Sequence, residues 1–176
     1  MEEKDIKYSN EEDKSYGLTG MAISVVVWDC EHLLSAVSID AQADEAIEMM
    51  PEYYFSGNPA VSAKTSWSRM LQNFQLSTAM LLANVMCRRM VYRRQQMNSD
   101  IREGLLRYVL EEGRESCSLD DDESTKVFDK CYSYCNRLFS HYGVMQIADE
   151  FARTLRDRRR MTRSEVIEAL SALNGL

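Results

Sequence analysis

Apolar positions along this chain recur mostly at three- and four-residue steps, the spacing of helices rather than strands. From about Thr19 to Ser38, the run Met21 to Trp28 is apolar on every side, and Cys30, Leu33, Leu34 and Val37 keep to one arc. That pattern predicts a helix buried deeply at its start, although the β-branched Val25, Val26 and Val27 alone would also suit a strand. A short helix from about Ala41 to Met50 should follow, stopped by Pro51. The segment from Pro51 to Pro59 is punctuated by Pro and Gly, reads as a loop, and carries Tyr53, Tyr54 and Phe55 side by side.

The longest helix is expected from about Ser62 to Met97. Trp67, Met70, Leu71, Phe74, Leu81, Leu82 and Val85 share one face, and Leu76, Ala79, Met80, Ala83, Cys87 and Met90 share the opposite one. A helix apolar on two faces lies between layers, so this one should form the centre of the fold, with Asn73, Ser77 and Asn84 as its polar strip. Further helices are expected from Asp100 to about Gly113, from about Asp122 to Tyr142, and from about Val144 to Arg159. Thr162-Arg-Ser-Glu165 is a capping box that opens a last helix, ended by Asn174-Gly175. Residues 1–16 mix acids, Lys, Ser and Asn and read as a flexible acidic tail. The expected fold is all-α: a single-domain helical bundle of six or seven helices over residues 17–176, packed around a long central helix.

Composition agrees with that class. Among 176 residues there are only 7 Gly and 2 Pro, too few turn-makers for a many-stranded sandwich or barrel. The stretch from Met70 to Cys87 is uncharged, but Gln72, Asn73, Gln75, Ser77, Thr78 and Asn84 make it too polar for a membrane span. The acidic start, Met1-Glu-Glu-Lys, lacks both a secretory and a transit signature, so a cytoplasmic location is expected. Five cysteines in no Cys-x-x-Cys spacing suit reduced, buried thiols.

Charge is distributed unevenly behind a net of −7. Residues 1–60 hold 13 acids and 3 bases, whereas 61–176 hold 15 acids and all 15 arginines. Arg88, Arg89, Arg93 and Arg94 spread around the end of the central helix, where cations offset exposed carbonyls. Residues 151–163 carry Arg153, Arg156, Arg158, Arg159, Arg160 and Arg163 against one acid, Asp157. Two helices joined by a basic turn suggest a helix-turn-helix reaching phosphates. The expected recognition helix, however, has no base after Arg163, and the whole chain is acidic. A solvated polar face, or pairing with the acidic half of the same chain or with a second copy, accounts for the arginines better.

Candidate chemistry is sparse. Asp29-x-x-His32 is half of a bundle metal motif, but His141 has no matching carboxylate three residues before it. Cys131 and Cys135 share a helix face at the centre of an apolar arc and read as core residues. No nucleophile elbow, phosphate loop or zincin motif is present. No cofactor and no catalytic residue are therefore assigned. The expected role is a non-catalytic intracellular adaptor or scaffold acting through protein–protein contacts, self-association among them. Its candidate contact residues are the six arginines of 151–163 together with Tyr53, Tyr54 and Phe55. The alternative is a nucleic-acid-associated regulator using the Arg-rich segment, and a small-molecule pocket between helices is a third reading.

Overall fold

Asn10 opens the first helix: its side chain accepts a hydrogen bond from the Asp13 amide, and Glu11, Glu12 and Asp13 place negative charge at the helix N-terminus. The computed structural model describes residues 7–42, 45–54 and 62–175, and this helix, α1, spans Glu11–Val27. Residues 11–16, expected to belong to a tail, are thus its first turns, with Asp13, Ser15 and Tyr16 buried. A helix buried on nearly all sides needs its hydroxyls satisfied internally. Ser15, Thr19 and Ser24 donate to the carbonyls of Glu12, Ser15 and Met21.

The expected continuation of this helix to Ser38 does not form. α1 stops at Trp28, Asp29 takes a left-handed φ of 54°, and a 3-10 turn over Glu31–Leu33 leads into strand β1, Leu34–Ser38. β2, Ile47–Met49, replaces the short helix expected there and pairs antiparallel with β1. Leu34, Ala36 and Val37 are all buried, so the sequence lacks the clean alternation of a half-exposed strand. Pro51–Tyr54 forms a single helical turn, α2.

The central helix is present as α3, Ala63–Met86, and runs on through a π-helical segment, Cys87–Tyr92. It packs against α1 on one side and against two later helices, α4 (Ser99–Cys117) and α5 (Asp121–Ser140), elsewhere. α1 approaches it tightly at Gly20, where an added Cβ would run into the Ala83 carbonyl and Cys87. Both expected apolar faces are buried along the inner part of α3, while Trp67, near its start, stands exposed.

α5 begins with a reciprocal capping box between Asp120 and Glu123. α6, Tyr142–Arg158, packs Val144, Ala148, Phe151 and Leu155 inward and lies against α1. The basic segment after it is neither a turn nor part of a helix-turn-helix. Residues Arg160–Thr162 form β3, antiparallel to β1, giving a three-stranded sheet of order β2-β1-β3. The Thr162/Glu165 capping box then opens α7, Arg163–Ala169. The protein is a mostly all-α arrangement of seven helices among the described residues, with this small sheet at one edge. No helix among the described residues is long and apolar enough to cross a membrane.

Candidate binding site

The expected basic surface is largely engaged with acids of the same chain. Arg156 pairs with Glu12 at 2.6 Å, and Arg160 makes a two-point contact to Glu48 at 2.7 and 3.1 Å. Arg159 reaches both Glu11, at 2.9 and 3.0 Å, and Asp40. Arg158 pairs locally with Glu165 at 3.0 Å, and Arg163 donates to the His32 carbonyl at 3.5 Å. Arg153 is exposed and has no acidic partner among the described residues. Acidic residues of α1, the β1 end and β2 thus meet the arginines of α6 and β3. The hydrogen bonds from Arg159 hold the Glu11 and Asp40 carboxyls below the usual carboxylate range.

The other arginine cluster is placed differently from its expected solvated ring. Arg88 is only 2% exposed, and its guanidinium grips the fully buried Asp13 through two contacts, 2.6 and 3.0 Å long. Arg93 adds a third contact to Asp13 at 3.1 Å, and the Ser9 amide donates to the same carboxylate at 2.9 Å. Burial pushes the Asp13 carboxyl up, but the hydrogen bonds and charge of Arg88, with Ser9 and Arg93, outweigh it and leave the group below its ordinary value. Arg88 also lies 4.9 Å over the Tyr8 ring, fixing the chain that enters α1. Sequence reasoning missed this pair. The Asn10–Asp13 cap spacing was the available signal that these residues begin a helix and not a tail.

The aromatic segment divides. Tyr53 is half-buried, and its carbonyl accepts from the Asn73 amide at 2.9 Å, while Tyr54 packs edge-on against it and is 63% exposed. Phe55 lies outside the described residues. Behind Tyr53 lies an open cavity of about 670 Å³ between the chain entering α1, α3 and α4. Met21, Met80, Leu81, Val85 and Val109 supply apolar lining, and Tyr8, Tyr53 and Tyr108 contribute rings. The α3 side of the lining contributes Ser77, Thr78 and Asn84, with the Asn84 amide donating to the Tyr8 hydroxyl at 2.8 Å. Burial pushes the Tyr53 phenol up to about 12 and raises that of Tyr8 as well, so both are neutral donors near pH 7. The cavity's charged groups are Lys7 and Glu112, and Lys7 is exposed.

Among the described residues no other chemistry gathers. Cys131 and Cys135 are core thiols whose Sγ atoms face the Gln75 and Ala79 carbonyls of α3, and burial pushes Cys131 up to about 12. Among the described residues no group of three or more His, Cys, Asp or Glu side chains is arranged to share a metal ion. His32 is exposed.

No protein-family model matches the chain. No curated protein matches its sequence, and no solved structure matches its fold.

Proposed function

We propose that the chain works by binding rather than by catalysis, as an adaptor or scaffold-type protein in the cytoplasm. Its contact with a protein partner is made by the aromatic rim around Tyr53, Tyr54 and Tyr108. The observation that carries this reading is a contrast in how two sets of side chains are used. Five of the six arginines in 151–163 are engaged with groups of the same chain, whereas Tyr54 is 63% and Tyr108 47% exposed. Large exposed aromatics that cost little side-chain entropy to order are the residue type on which binding energy concentrates.

The pairing also lowers the standing of the nucleic-acid reading. An arginine already held by a carboxylate must break that contact before it meets a phosphate, and β3 removes the turn that a recognition helix needs.

The test compares two double variants by affinity purification of the tagged full chain, with sedimentation of the purified protein alongside. Tyr54→Ser/Tyr108→Ser should lose a stoichiometric protein partner, or a dimer where the partner is a second copy, and keep the wild-type helical circular dichroism. Arg153→Ser/Arg163→Ser should retain it. Loss of the partner in the arginine variant alone, or co-purification of nucleic acid in place of protein, would overturn the proposal.

A further inference from the structure

The cavity behind the aromatic rim carries a second, separate inference. Its volume, about 670 Å³, lies within the range of about 300–1,000 Å³ typical of sites for small molecules. Its lining has the usual make-up of such sites, apolar side chains over most of the wall with a few polar groups among them. Thr78 is the most deeply buried polar side chain of the lining. It is only 3% exposed and lines the cavity, yet its hydroxyl has no hydrogen-bond partner among the described residues. Elsewhere in the helices Thr19 and Thr154 return their hydroxyls to the carbonyl four residues earlier, at 2.7 and 3.0 Å. Thr78 does not, so its donor and acceptor capacity remains for whatever enters the cavity.

The polar groups beside it decide the ligand's chemistry. Ser77, Asn84 and the phenols of Tyr8 and Tyr53 are all neutral, and Glu112 opposes an anion while its Oε1 already accepts from Ser116 at 2.6 Å. The charged lining residues are Lys7, which is exposed, and the half-buried Glu112, whereas Thr78 is buried, so a charged head drawn in beside Thr78 would give up its hydration against neutral groups. We infer that the cavity between α3, α4 and the entry to α1 binds an uncharged small molecule with an apolar body and a hydroxyl or carbonyl end. The apolar body lies along Met80, Leu81 and Val85, and the polar end meets Thr78.

The neutral fluorescent dye phenylnaphthylamine, added to the full chain, probes the site, with decanol and decanoate as competitors. The dye should bind with enhanced fluorescence, and decanol should displace it at least tenfold more effectively than decanoate. Leu81→Trp, which fills the cavity, should abolish dye binding. Thr78→Val keeps the shape and should weaken decanol roughly two- to tenfold, the value of one neutral hydrogen bond, without changing dye affinity. This second variant keeps the test decisive where Leu81→Trp fails to fold. Absence of dye binding to the wild type, dye binding by folded Leu81→Trp at wild-type affinity, or wild-type decanol affinity in Thr78→Val would each overturn the inference.

Discussion

The Arg88 guanidinium and the Asp13 carboxylate meet in the interior, Nη2 2.6 Å from Oδ2 and Nε 3.0 Å from Oδ1, although the residues stand 75 positions apart. This contact joins the first turn of α1 to the π-helical end of the central helix. Both charges are out of water, so their mutual arrangement, and not the presence of either one, keeps the region folded.

Removing one partner should therefore cost far more than removing both. Asp13→Ala leaves the Arg88 guanidinium buried without its carboxylate and should destabilise the chain by about 3–5 kcal/mol. The double variant Asp13→Leu/Arg88→Met should recover most of that loss. Urea denaturation of the two single variants and the double checks it, and additive losses would contradict the coupling.

The same pair predicts the acid side of the stability profile. The Asp13 carboxyl is held below its ordinary value in the folded state. Its contribution is thus fully present above the unfolded carboxylate pKa, about 3.9, and is lost as pH falls through the lower folded value. Stability measured from pH 6 downward should drop below about pH 4 by more in the wild type than in Asp13→Asn, which has no proton to gain. Parallel curves for the two proteins would show that Asp13 contributes nothing to acid sensitivity.

Close approach of α1 to α3 depends on Gly20, where a Cβ would strike the Ala83 carbonyl, a backbone atom that cannot swing aside. Gly20→Ala should destabilise by about 1–3 kcal/mol despite the better helix propensity of alanine. Gly175→Ala is the control, since a Cβ there meets nothing within 4 Å. Thermal melts of the two variants separate the steric cost at Gly20 from the intrinsic effect of alanine.

These relationships were unevenly legible in the sequence. The central helix, the inward arc of α6 and the Thr162/Glu165 capping box follow from local spacing, which a helix expresses within a few turns. β1 was hidden because Leu33, Leu34 and Val37 fit a helical arc as well as a buried strand, and only pairing with β2 and β3 decides between them. β3 is three residues long and sits in an arginine run whose charges mask its one buried residue, Met161. The burial of Arg88 is not legible because its partner, Asp13, stands 75 residues away in a segment whose composition reads as a tail. Charge complementarity between the two parts of the chain was readable as a tendency, but not which acid meets which arginine. The cavity left no signal in spacing, because its lining comes from segments far apart in sequence.

The commitment of the paired arginines of 151–163 to the fold is tested most directly by offering them phosphates. In a gel-shift of the purified chain with mixed DNA and RNA at about 50 mM salt, where phosphate contacts are strongest, the wild type should give no shifted species. A shifted complex whose affinity falls steeply between about 50 and 200 mM salt, and which is lost in Arg159→Ser/Arg160→Ser, would contradict that commitment.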